Sequence, residues 1–154
     1  MRILVISDSH GNTRNIERAV ESQPEANIII HLGDGADDIV DLEFVYRDKQ
    51  FYQVAGNCDW GSSLPLEGEL KVADKTIFFV HGHEYKVKTN LQQIKLEARK
   101  RNADIVLFGH THLPITEYDD ELYLLNPGSL QYADGTYGII DITDAGISVQ
   151  IRKV

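Results

Sequence analysis

Five short apolar runs in this chain break off at Asp, Asn or His, and that repeated ending constrains the fold more than any other feature of the sequence. Arg2–Ser7 stops at Asp8-Ser9-His10, Ala26–Leu32 at Gly33-Asp34, and Phe51–Ala55 at Gly56-Asn57. Thr76–His81 ends on His81-Gly82-His83, and Asp104–Phe108 on Gly109-His110-Thr111-His112. Runs of this length, rich in β-branched residues and closed by turn signals, are the pattern of buried strands. Ligands in open α/β sheets bind beyond the carboxyl ends of such strands. The polar residues that end these runs are therefore expected to meet in one place.

Between the runs, the periodicity changes. Ile16, Ala19 and Val20 recur at helical spacing behind Asn12 or Thr13 as a cap. Asp37–Val45 carries a second short helical pattern, and Leu91, Ile94, Leu96 and Ala98 predict a longer helix over Thr89–Asn102. Glu69–Val72 and Thr76–His81 flank Ala73-Asp74-Lys75, Ile115–Tyr118 and Leu122–Leu125 flank Asp119-Asp120, and Tyr137–Ile142 and Ile147–Ile151 flank Asp144-Ala145-Gly146. The first third predicts parallel βαβ pairing, while the later runs predict antiparallel hairpins. The expected class is α/β shading into α+β, with two mixed sheets packed face to face and helices outside.

The chain has 154 residues, 42% of them hydrophobic, which suits one core and one domain over residues 1–154. The first apolar run meets Asp8 too soon for a signal peptide or a membrane span, and Cys58 is the only cysteine. A cytoplasmic protein with no disulfide and no membrane partner is expected. A formal net charge of -9 opposes the basic footprint of stable nucleic-acid binding. A small molecule is the expected partner; homo-oligomerisation is left open.

Asp8, His10, Asp34, Asn57, His81, His110 and His112 are the candidate metal ligands. Carboxylate and amide oxygens suit hard cations and imidazoles suit borderline ones, so the mixed set favours Mn, Fe, Ni or Zn. Taken singly, Asp-x-His, Gly-Asp and Gly-Asn are common turns; the weight lies in their order along the chain.

In that order, the motifs resemble the calcineurin-like metallophosphoesterase superfamily, and within it the small bacterial and archaeal phosphodiesterase branch of the YfcE type. The resemblance runs from Asp8 to Asn126-Pro127-Gly128-Ser129. It implies a four-layer fold and two divalent cations per chain, manganese first, with Ni, Fe, Zn or Mg as alternatives. Asp8, His10, Asp34 and His112 would hold one cation, and Asn57, His81 and His110 the other, with Asp34 bridging. The implied activity is hydrolysis of small phosphodiesters by a metal-bridging hydroxide. A phosphomonoesterase for nucleotides or sugar phosphates, and a non-catalytic scaffold of the same fold, are the alternatives.

One departure stands out: many superfamily members have His after the Gly-Asn pair, where this chain has Cys58. A thiol is a poorer acid than an imidazolium at neutral pH, so esters with acidic leaving groups should be preferred. Asn57, Cys58, Asp59 and His83 are the catalytic candidates, His83 as a substitute acid or an orienting neighbour and Asp59 as support for the Asn57 loop. His31, inside its strand, reads as a satisfied interior histidine. Cys58 could also be a small buried hydrophobe, and Trp60, Leu64 and Leu66 read as ordinary packing rather than as an apolar lip.

Overall fold

A computed structural model describes residues 1–154. Its first sheet is built from β1 (Arg2–Ile6), β2 (Ala26–His31), β3 (Gln50–Gln53), β9 (Thr136–Thr143) and β10 (Gly146–Lys153), in the order β10-β9-β1-β2-β3. β1, β2 and β3 run parallel, and β9 joins β1 antiparallel at the other side, Ile3 opposite Ile140. The second sheet contains β4 (Glu67–Val72), β5 (Lys75–Val80), β6 (Ile105–Leu107), β7 (Ile115–Asp119) and β8 (Leu122–Asn126), in the order β4-β5-β6-β8-β7.

Strand alternation explains the layering. Ile3, Val5, Ile28 and Ile30 of the first sheet point inward onto Ile77, Phe79, Ile105 and Leu107 of the second, and all are buried. Leu4, Ile6 and Ile29 point the other way, under α1 (Thr13–Ser22) and α2 (Val40–Val45), where Ile16, Ala19, Val20 and Leu42 cover them. Phe78, Val80, Val106 and Phe108 lie on the outer face of the second sheet, beneath Ile94 and Ala98 of α3 (Gln92–Lys100). Helix, sheet, sheet and helix form four layers. Strands covered on both faces must be apolar throughout, which is why these runs show no clean alternation in the sequence.

Asn12 caps α1, its side chain accepting the Asn15 N–H. Three expectations shift. The helix predicted over Thr89–Asn102 occupies only Gln92–Lys100, because the Asn90 side chain accepts the Gln92 N–H and starts the helix there. Asn102, at φ 52°, turns the chain out of it, and Ala103 N–H returns to the Ala98 carbonyl. Asp37–Val45 divides into a 3-10 helix over Ala36–Ile39 followed by α2. The antiparallel expectation for the later strands holds for β7 with β8 and β9 with β10, but β8 is also parallel to β6, as β6 is to β5. A turn reports only the partner it joins; the far edge of β8 is chosen by the core.

Candidate metal centre

Ser7–His10, Leu32–Gly35, Ala55–Asp59, His81–His83 and Gly109–His112 all leave their strands at one end of the sandwich. Two glycines let two of these turns meet: a Cβ on Gly33 would lie 2.5 Å from the Gly56 nitrogen, and one on Gly56 only 2.1 Å from Asp34 Oδ1. The seven expected ligands are brought together there.

They fall into two groups. Asp8 Oδ1 is 3.1 Å from His112 Nε2, which is 3.4 Å from His10 Nε2. On the other side, His81 Nε2 is 3.1 Å from Asn57 Oδ1 and 3.2 Å from His110 Nδ1. Asp34 Oδ2 lies between, 3.7 Å from His10 Nε2 and 3.5 Å from His81 Nε2. The Cys58 N–H fixes the other Asp34 oxygen at 2.7 Å, which leaves Oδ2 facing both groups.

The donor set fits cations. Asp8 is fully buried, and its Oδ2 accepts from the Ser7 hydroxyl and from the His110 N–H. Its Oδ1 is buried with no hydrogen-bond partner, a costly state unless something positive sits beside it. Burial pushes the Asp8 carboxyl up to about 6. Burial holds His81 and His110 down at about 4, and also lowers His112, so these rings present neutral lone pairs at neutral pH. His81 Nδ1 must donate to the Leu32 carbonyl at 2.7 Å, because a carbonyl can only accept; Nε2 is thereby left bare. Cys58 completes a third group within ligand reach, with His10 and Asp34.

The remaining expectations divide. Asp59 takes four backbone N–H groups, from Asp34 and Gly56 on one oxygen and from Gly35 and Ala36 on the other, at 2.7–2.9 Å. His83 lies beside the second group, its ring 5.4 Å from that of His81, with a buried Nδ1 that has no partner and Nε2 3.3 Å from Glu84. His31 is a satisfied interior histidine: its Nδ1 accepts the Gly33 N–H, so Nε2 donates to Ser9 Oγ, and the Ser9 hydroxyl donates to Asp38. Cys58 is exposed, not a buried hydrophobe. Trp60 is 91% exposed and Leu66 51%, so ordinary packing is wrong for both; the loop between β3 and β4 carries them away from the core.

Ser7 and Asp38 also support the site, a role the sequence reading gave to neither, and Asn126 and Ser129, in the turn that the resemblance places near the site, support it through their side chains. Asn126 Nδ2 donates to the Gly109 carbonyl and to Thr111 Oγ1, and Ser129 Oγ donates to the Asp8 carbonyl. For Ser7 the sequence offered only its adjacency to Asp8.

Known proteins share both the sequence and the shape. The chain is 32% identical over 133 residues to Probable metallophosphoesterase YsnB of Bacillus subtilis, covering 85% of this chain and 76% of that one. It is 28% identical over 160 residues to Phosphodiesterase MJ0936 of Methanocaldococcus jannaschii, covering 92% and 93%. The crystal structure of a conserved Streptococcus pneumoniae protein, described as a predicted phosphoesterase, superposes with a TM-score of 0.84 at 25% identity, over 99% of this chain and 88% of that one. Residues 1–145, which hold all seven candidate ligands, match the calcineurin-like phosphoesterase superfamily domain, and the chain belongs to that superfamily.

Proposed function

We propose that residues 1–154 act as one cytoplasmic metallophosphoesterase unit that hydrolyses small phosphodiesters with the help of two divalent cations, manganese first and Ni, Fe, Zn or Mg as substitutes. The observation that carries this reading is the position of Asp34 Oδ2, shared between Asp8, His10 and His112 on one side and Asn57, His81 and His110 on the other. Those residues would hold the two ions, with Asp34 common to both. Cations held there would acidify water for attack on phosphorus and would stabilise the negative charge of the displacement.

The chain's own residues supply the rest. Neutral imidazoles and buried carboxylates fix the donors before anything binds, so little reorganisation is needed. Ser7 and Ser9 are fully buried with their hydroxyls committed to Asp8 and Asp38, so neither is presented to substrate as a covalent nucleophile. Partial desolvation and then the Asp34 carboxylate push the Cys58 thiol up, which favours its protonated form as a proton donor at the exposed rim of the site. His83 is the second proton source within reach. The names of MJ0936 and of its relatives as phosphodiesterases support the diester over the monoester.

Cleavage of bis-p-nitrophenyl phosphate against p-nitrophenyl phosphate tests the reading, on protein stripped with chelator and resupplied with Mn, Ni, Mg or Zn. Metal-restored hydrolysis that favours the diester is expected. Equal or greater turnover of the monoester would replace diester by monoester, and no turnover with any ion would remove catalysis altogether.

A further inference from the structure

The cleft above Asp34 does not end at the metal-binding side chains. A hollow of about 210 Å³ lined by His10, Asp34 and Cys58 shares Ala36, Asp37, Cys58 and Asp59 with a second of about 320 Å³ beside Trp60. The second shares Ala36, Asp37, Gly61 and Ser62 with a third of about 490 Å³, bounded by Val40, Glu43, Phe51 and Leu64. Together they form one groove, between α2 and the loop that follows Asn57.

Its chemistry is selective. None of the residues lining the three hollows is Lys or Arg, while Asp37 and Glu43 both face the groove. Arg47, the cation nearest to Glu43 in sequence, instead stacks on Phe44 at 4.2 Å and donates to the Phe44 carbonyl. Asp38 and Asp59 are already committed to Ser9, Gly11 and four backbone amides, so Asp37 and Glu43 are the carboxylates left for a ligand. At the rim, Trp60 is 91% exposed and presents an open indole face. An arm bearing a further phosphate or carboxylate would be repelled here, and a plain alkyl arm would leave the carboxylates unused. A cation beside Asp37, which lines all three hollows, would offset its charge within a groove that also presents Glu43 and, at the rim, an indole whose face attracts cations.

We propose that this groove receives an amine-bearing or quaternary-ammonium arm of a phosphodiester, so that amino-alcohol diesters are preferred substrates. The inference rests on the phosphodiesterase reading above, and its test separates the two. The full-length, metal-loaded chain is given p-nitrophenyl phosphocholine, its uncharged 3,3-dimethylbutyl isostere, and bis-p-nitrophenyl phosphate. The choline ester should exceed the isostere by about tenfold or more in kcat/KM, and the double change Asp37→Asn with Glu43→Gln should bring that ratio close to one. A wild-type ratio near one, with bis-p-nitrophenyl phosphate still cleaved, would overturn the groove assignment alone.

A second readout does not depend on turnover. Trp60 is the only tryptophan, so its fluorescence reports on the groove directly. Choline should change the emission saturably in metal-free protein, 3,3-dimethylbutanol should not, and the double variant should bind choline more weakly. If no ester is cleaved but choline still binds in this way, the phosphodiesterase reading fails and the cation groove stands. No saturable response to choline overturns the groove.

Discussion

The carboxylate of Asp59 holds the backbone amide of Asp34 at 2.8 Å, and the same oxygen holds that of Gly56 at 2.7 Å. One side chain thus fastens together the two turns that carry Asp34 and Asn57. Asp59→Asn keeps the shape but turns an NH2 group toward two amide donors. It should cost about 1–3 kcal/mol in urea unfolding, with the low end favoured by partial solvent access. It should also lower turnover through displaced ligands. Burial alone would raise the Asp59 carboxyl, but the four N–H donors outweigh it and hold it below the usual carboxylate range. Its contribution is therefore present above the unfolded carboxylate pKa and lost as pH falls below it, so the stability gap between wild type and variant should close in acid. A gap that persists unchanged in acid would refute this account.

Asp34 and His112 should differ in what they remove. With Asp34 Oδ2 facing both groups, Asp34→Ala should weaken manganese binding at both positions, whereas His112→Ala should spare the ion held by Asn57, His81 and His110. Isothermal titration of stripped protein counts the ions. Activity on bis-p-nitrophenyl phosphate should fall by about a hundredfold or more in each, roughly 3 kcal/mol of lost transition-state stabilisation.

His31 predicts a pH dependence of folding. It is fully buried, and burial lowers its pKa to about 4, so the folded protein keeps it neutral while the unfolded chain protonates it near the ordinary histidine value. Stability from this source is complete above about pH 6.5 and is lost as pH falls toward about 4, by up to about 3 kcal/mol. His81 and His110 act in the same direction, so the informative quantity is the difference between wild type and His31→Gln. Urea midpoints measured at about pH 7 and about pH 5 should fall less in the variant. Equal falls would mean that His31 does not titrate between the two states.

Cys58 should set the dependence on the leaving group. Its thiol lies 3.3 Å from Asn57 Nδ2, at the exposed edge of the site. Turnover should fall steeply across aryl diesters as the leaving phenol becomes less acidic, and Cys58→His should flatten that slope by supplying a stronger acid. An identical slope in both proteins would assign the proton to another group, His83 first.

The strand ends were legible in the sequence because a strand covered on both faces is apolar until it stops, and Asp8, Asp34, His81 and His110 mark the stops. Their convergence was legible for the same reason. That Asp59 supports the Asn57 loop was legible from its place beside it, but its reach to the amides of Asp34, Gly35 and Ala36 and the side-chain bonds of Asn126 were not, since a side chain's distant backbone partners leave no pattern along the chain. Trp60 misled because an indole is usually interior, and nothing in Asn57-Cys58-Asp59-Trp60 shows that the loop stands off the core. The parallel pairing of β6 with β8 was hidden likewise, being made across a hairpin rather than by one.

Asp8, His10, Asp34, His110 and His112 all have positive φ, between 45° and 66°, a region that glycine enters freely and that other residues, even the more tolerant Asn, Asp and His, enter at a cost. Natural selection must therefore keep repaying a debt at these positions for as long as the chemistry is useful. Were that use to lapse in a descendant, glycine would be free of the strain at several of them, and the ten strands beneath would gain by the exchange. The part of the molecule that performs the reaction is thus the part most easily shed by drift, leaving an intact sandwich free for other employment.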